Sequence, residues 1–136
     1  MKTLIVFYSF TGHTKAIAER IAGELAADIA EIKDIAKPGV AKAYSAGCFA
    51  AIRGKAWPIQ ALNKDPGLYE HLILLSPVWA GNTPPAVNAW LEQLPQSKSV
   101  AVKMISARGK SNCRERLERA VAAKSCMWES FEDIKA

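Results

Sequence analysis

Apolar residues follow two rhythms along this chain. Leu4-Ile5-Val6-Phe7 and Leu72-Ile73-Leu74-Leu75 are continuous apolar runs, the pattern of strands buried on both faces of a parallel sheet. Val100-Ala101-Val102-Lys103-Met104-Ile105 is a third such run, broken by one lysine. Ile29-Ala30-Glu31-Ile32 is weaker and reads as an edge strand, and Met127 to Ile134 offers a last one. Between the runs the period lengthens. In Thr14 to Ala27, Ile17, Ile21 and Leu25 fall four apart with alanines filling the same face, which predicts an amphipathic helix. Val87, Trp90, Leu91 and Leu94 repeat at helical spacing behind Thr83, a candidate cap, and Pro84, suited to a first helical position. Asn112 and Glu115 have capping-box spacing ahead of Leu117 and Val121. Residues 37–67 are the least regular. Ala41 to Ile52 reads as a helix weakened by Gly47.

Strand then helix, repeated, predicts an α/β domain around a parallel sheet. Right-handed crossovers leave few topologies. Ligands of such sheets bind beyond the carboxyl ends of the strands, where strand order reverses. The loops after the first, third and fourth strands therefore carry the candidate chemistry.

The first loop is Ser9-Phe10-Thr11-Gly12-His13-Thr14. A helix N-terminus leaves backbone N–H groups unpaired and carries partial positive charge, so it suits a phosphate. Ser9, Thr11 and Thr14 add hydroxyls, and Gly12 lets the backbone come close. The loop lacks the second glycine and the lysine of a triphosphate-binding loop, and the three glycines of a dinucleotide fingerprint. A phosphate monoester on a small cofactor suits it better. An N-cap with spare hydroxyls is the alternative. The second loop, Ser76 to Pro85, includes Pro77, Val78, Trp79, Ala80, Gly81 and Asn82. The Trp79 ring could stack on a flat ligand or pack under its own loop, and Gly81 would let backbone groups meet a polar edge. The third loop, with Ser106, Ala107, Arg108, Gly109 and Lys110, brings positive charge to the same end of the sheet.

Composition narrows the function classes. The 136 residues suit a single domain, residues 1–136, with half its residues apolar and 23% charged. No apolar run is long enough to cross a bilayer, and the N-terminal apolar stretch is too short for a secretory signal. A cytoplasmic location with no membrane partner is the expectation. Cys48, Cys113 and Cys126 are too widely spaced for a disulfide framework or a zinc site. The net charge of +5 is scattered, and Glu115 and Glu118 interrupt the basic run at Arg114, Arg116 and Arg119. No nucleic-acid motif accompanies it, although the charge favours acidic partners or anionic cofactors.

With these residues in view, the sequence resembles the flavodoxin-like family of flavin mononucleotide (FMN) proteins. "YSFTGHT" matches the family's phosphate loop after the first strand. "SPVWAGNTPPAVNAWLE" matches its second loop and the helix behind it. "AYSAGCFAAIRGKAWPI" looks like the middle segment of short, single-domain members. The resemblance covers roughly residues 2–120. It implies a three-layer sandwich with a five-stranded parallel sheet in the order 2-1-3-4-5, and FMN at the switch point. It implies that Ser9 to Thr14 hold the phosphate and that Trp79 and its neighbours cover one ring face. Gly81 and Asn82 would meet the N5 edge, and Ser106 to Gly109 the pyrimidine end. No side chain is expected to act as a catalytic group beside the flavin, and no metal is expected.

The chain also departs from that family. Electron-carrier flavodoxins are strongly acidic, whereas this chain is basic. Arg108 near the pyrimidine edge would stabilise reduced, anionic flavin and favour two-electron reduction. Tyr44, Phe49 and Trp57 are candidates to cover the second ring face. After Lys124 only twelve residues remain, enough for a fifth strand but not also for a full final helix. An apolar face left uncovered could be buried in a homodimer. The leading reading is an FMN-binding redox protein, either an electron carrier or a small reductase, whose partner is a redox protein or a small-molecule electron acceptor. A non-enzymatic module binding another phosphorylated ligand or a protein is the alternative. Cys113 and Arg119 also match the spacing of a cysteine phosphatase, without the glycine-rich cradle such a loop needs.

Overall fold

The computed structural model describes residues 2–136. β1 (Thr3–Phe7), β2 (Asp28–Glu31), β3 (His71–Pro77), β4 (Ser99–Ser106) and β5 (Met127–Lys135) form one parallel sheet in the order β2-β1-β3-β4-β5. Leu4 pairs with Asp28 on one side and Leu72 on the other, so β1 and β3 are central. The continuous apolar runs thus lie where both faces are covered. Leu4, Ile5, Val6, Leu72, Leu74 and Leu75 are each buried, which stabilises the fold by about 1.5–3 kcal/mol per side chain.

Helix α1 (His13–Leu25) covers one face, packing Ile17, Ala18 and Ile21 on Ile5, Phe7, Ile73 and Leu75. Leu25, expected on that stripe, is instead exposed where the helix leaves the sheet. The other face is covered by α4 (Pro85–Glu92), α5 (Arg114–Ala123) and a helical run between β2 and β3. That run comprises α2 (Val40–Lys42), a π turn (Ala43–Gly47) and α3 (Cys48–Ile52). Arg116 closes its far end, donating from Nη1 to Ala51 O and from Nη2 to Ile52 O, both at 2.9 Å.

Two expected caps are not made. α4 starts after Pro84, and the buried Thr83 hydroxyl bonds Asn88 Oδ1 at 2.5 Å instead. α5 starts after Cys113, so Asn112 stands outside the helix. Cys113 is fully buried, and burial pushes its thiol up from the usual cysteine range. That is the opposite of an activated nucleophile.

The uncovered apolar face expected beyond α1 is also not found over β4 and β5. Lys103, the one break in the third apolar run, points there and bonds Glu132 at 2.9 Å. His71 Nδ1 lies 2.7 Å from Glu129 Oε2, which also accepts from Ser99 Oγ at 2.8 Å. Polar pairs occupy the surface that an apolar strip would need a partner to cover.

Buried Tyr8 joins β1 to the segment after β2, donating its hydroxyl to Asp34 Oδ2 at 2.6 Å. Burial, then the bond to the carboxylate, holds the phenol proton well above the usual tyrosine range. In the unfolded chain the phenol ionises near pH 10. Below that pH both states keep the proton and the contribution to stability is complete. Above it the unfolded chain releases a proton that the folded chain retains, so stability falls by about 1.4 kcal/mol per pH unit. Denaturant titrations are expected to show stability level up to about pH 8, declining from about pH 9 as the unfolded Cys113 thiol ionises and more steeply beyond about pH 10. The decline should be shallower in Tyr8→Phe. Tyr69, shifted the same way by its hydrogen bond to Asp28, and Cys113, shifted up by burial, leave a residual slope.

Candidate functional site at the carboxyl ends of the strands

The reversal of strand order lies between β1 and β3, and a cleft of about 460 Å³ opens beyond their carboxyl ends. The first loop contributes Phe10, Thr11, His13 and Thr14 to its wall, the second Pro77, Val78, Trp79 and Ala80, and the third Ser106 and Ala107. The structure therefore brings three loops distant in sequence to one site. Ser9, Gly12, Gly81, Asn82, Arg108 and Gly109 do not line the wall. They shape the loops from behind or lie outside them.

Ser9 shows how the first loop holds its form. Its Oγ accepts from Gly12 N at 3.1 Å and Lys15 N at 3.2 Å. The hydroxyl folds the turn as an acceptor, and its own O–H has no acceptor among the described residues and is left to donate. Gly12, the N-cap of α1, has φ +104°, and a Cβ there would point into open space. The glycine is required by its backbone conformation. The N–H groups of Thr11, His13 and Thr14 find no acceptor among the described residues. They stand at the positive end of a 13-residue helix.

The second loop is a tight turn. Trp79 N donates to Asn82 O at 2.8 Å, and Asn82 N to Trp79 O at 2.9 Å. Ala80 and Gly81 carry φ of 50° and 81°, the left-handed pair of a type I′ turn. Asn112 buttresses the turn, its N–H donating to Gly81 O at 2.6 Å. A Cβ on residue 81 would lie 2.8 Å from Asn112 Nδ2. Gly81→Ala is therefore expected to cost about 1–3 kcal/mol. A urea-denaturation midpoint equal to the parent's would contradict that.

Trp79 is only 9% exposed. Its ring meets Tyr8 and Phe10 edge to face, with centroids 6.0 and 5.5 Å apart. It is packed beneath its loop and shows the cleft a limited surface, so it forms floor rather than a free stacking plate. Gly47 makes that packing possible, because a Cβ there would lie 2.7 Å from Trp79 Cζ3. The glycine read as a weak point in a helix is a point of close approach. It ends a π turn, a helical irregularity that recurs at functional sites.

The third loop turns back on Ser106, whose Oγ accepts from Gly109 N at 2.9 Å and Lys110 N at 3.2 Å. Arg108 is left exposed at its tip, outside the cleft wall. Lys37 sets a further positive charge beside Phe10, a residue of the wall. Its Nζ lies 5.3 Å from the Phe10 ring centroid and 3.3 Å from Phe10 O.

Val40, Ala43, Cys48 and Ile105, with Ala136 and with Tyr44, a candidate ring cover in the sequence, complete the wall. Phe49 and Trp57, offered with it, lie outside. The first four had been passed over because apolar residues in a helix or strand read as core, and nothing local marks them as lining a cleft. Among the described residues no group of three or more His, Cys, Asp or Glu could hold a metal, and no helix is long and apolar enough to cross a membrane.

No family model matches the chain. An uncharacterized protein of Archaeoglobus fulgidus is 31% identical over 98 residues, 71% of this chain but only 60% of that protein's length. Among solved structures, a flavoprotein of Lactobacillus acidophilus in complex with FMN is 27% identical. The match covers 96% of this chain and 91% of that one, with a TM-score of 0.77. Oxidised flavodoxin 1 of Bacillus cereus is 17% identical over 100% of this chain and 86% of that chain, with a TM-score of 0.58. The shared strand order and near-complete coverage, carried by a sheet whose switch point opens onto three converging loops, show that this chain has the flavodoxin-like fold.

Proposed function

We propose that this protein binds FMN in the cleft and works as a redox protein, as an electron carrier or a small reductase. The observation that carries the reading is the union of two surfaces in one cleft. One wall is the start of α1, with the free N–H groups of Thr11, His13 and Thr14. The other is apolar, built from Val40, Tyr44, Val78, Trp79 and Ile105. A ligand with a phosphate at one end and a flat, largely apolar body at the other suits both. The volume of about 460 Å³ lies within the usual range for small-molecule sites. FMN is bound by the Lactobacillus acidophilus relative.

When bound, FMN supplies one- and two-electron chemistry, and the chain supplies position and environment. The first loop would take the phosphate through backbone N–H groups and the Thr11 and Thr14 hydroxyls. Trp79 and Val78 would bear on the ring system, and Tyr44 would stand at its open side. One observation favours the other reading, a module for a different phosphorylated ligand: Trp79 is packed under its loop and offers little stacking surface.

Parallel fluorescence titrations with FMN and riboflavin separate the two readings. Submicromolar FMN binding that weakens at least about tenfold on losing the phosphate is expected, equivalent to about 1.4 kcal/mol. No quenching by either flavin would leave the phosphate-ligand module as the better reading. Nicotinamide nucleotides and quinones, added to the flavin-loaded protein, then distinguish a reductase from a carrier.

A further inference from the structure

The helical run 40–52 is amphipathic in an inverted sense. The residues it buries, Ala43, Gly47, Ala50 and Ala51, are all small, and it exposes its largest apolar ones. Val40 is 63% exposed, Tyr44 78%, Phe49 57% and Ile52 53%. A helix that serves only its own core places such residues the other way round. With Ile35, these make up five of the eight exposed large hydrophobics among the described residues.

The charge on this surface is equally one-sided. From residue 35 to residue 64 there is no Asp or Glu, and Lys37, Lys42, Arg53, Lys55 and Lys64 supply five cations. The cations sit on the aromatic rings. Arg53 Cζ lies 4.3 Å from the Phe49 ring centroid, and Lys42 Nζ lies 5.2 Å from that of Trp57. Arg116 clamps the end of the run, so the surface is presented on a fixed element.

We infer that the outer face of residues 40–53 is the docking surface for a partner protein with an apolar centre and an acidic rim. Aromatic residues with arginine, at the heart of an apolar patch, are the composition of interface hot spots. Acidic side chains on the partner would pair with Lys42 and Arg53 above their rings. A second copy of this chain is disfavoured, because a two-fold contact would set the same cations against each other. An anionic lipid surface is disfavoured because membrane-seeking helices are continuous amphipathic stretches, whereas this run is two short helices interrupted by a π turn. The patch adjoins the cleft through Val40 and Tyr44, so a docked partner would meet the site's open side. That last point rests on the redox reading; the docking surface itself does not.

The test uses the full chain with and without FMN. Its probe is a dye-labelled acidic [2Fe–2S] ferredoxin followed by anisotropy at low salt and at about 0.2 M salt. Basic cytochrome c and vesicles of mixed phosphatidylcholine and phosphatidylserine serve as comparisons. Expected is ferredoxin binding that weakens about tenfold with salt and at least about tenfold in Phe49→Ser/Ile52→Ser and in Arg53→Glu, or about 1.4 kcal/mol. Cytochrome c should not bind. None of the three substituted residues lines the cleft, so FMN titrations of the variants should match the parent and show that they fold. Absent ferredoxin binding, equal binding by the variants, or binding to vesicles alone would overturn the inference. Ferredoxin binding by a chain that takes up no FMN would sustain the docking surface and remove the redox reading.

Discussion

Thr11→Glu should lower FMN affinity by at least about 100-fold, or about 2.7 kcal/mol, while leaving the fold as stable as before. The two halves of this result have opposite electrostatic origins. Residue 11 is exposed, lines the cleft and precedes the first turn of α1. A carboxylate near a helix N-terminus interacts favourably with the aligned peptide dipoles, so the helix itself is not harmed. The same carboxylate competes with a phosphate for that positive end and repels it. Two like charges about 4–6 Å apart near a protein surface repel by about 3–4 kcal/mol. Riboflavin, which lacks the phosphate, should bind Thr11→Glu within about threefold of the parent. Comparable losses for both flavins would mean that the first loop does not hold the phosphate. Thermal denaturation monitored by circular dichroism supplies the control for folding.

The second large effect is expected at Gly47, where the sign of a familiar substitution should reverse. Replacing glycine by alanine inside a helix ordinarily stabilises it by about 1 kcal/mol. Here the new methyl would lie 2.7 Å from Trp79 Cζ3 and 3.2 Å from Cε3. Trp79 cannot yield easily, because Tyr8 and Phe10 hold its ring edge to face on their own sides. Overpacking of this kind costs about 1–3 kcal/mol. Gly47→Ala is therefore expected to destabilise the fold in urea denaturation, and to weaken FMN binding because Trp79 is part of the cleft floor. Trp79→Phe removes the atoms that clash. In that background Gly47→Ala should return to being neutral or stabilising, a coupling of at least about 1 kcal/mol in a double-mutant cycle. Additive effects of the two substitutions would show that the contact does not govern this position.

The two positions differ in how far they could be read in advance. Thr11 belongs to a local signal: small hydroxylated residues and one glycine between an apolar strand and an amphipathic helix. The physics of a helix N-terminus acts over one turn, so consecutive residues disclose it. Gly47 belongs to a contact with residue 79, and nothing near either residue records the other. The same division runs through the loops. Ser9 and Ser106 were legible as loop hydroxyls, but not as acceptors that fold their own turns. Asn112 fitted a capping box by spacing, yet the structure uses it to brace Gly81, a residue thirty-one positions earlier. Arg108 is legible as a charge in the third loop, whereas its exposure at the loop's tip, outside the cleft wall, is not.

By itself, then, the sequence determined the elements, their order and the end of the sheet at which a ligand would bind. Apolar runs buried on both faces and stripes of helical period are local consequences of burial, and right-handed crossovers leave few ways to assemble them. Tertiary structure alone decided which side chains face the cleft, why Trp79 forms its floor, and which way the helical run 40–52 turns its large residues. It also decided that Lys103, Glu132, His71, Ser99 and Glu129 pair across three strands where an apolar face had been expected. The physical reason is the same each time. Periodicity reports that a residue needs an apolar or a polar neighbour, whereas the identity of that neighbour is set by strand register and helix placement, over distances along the chain at which sequence carries no local mark.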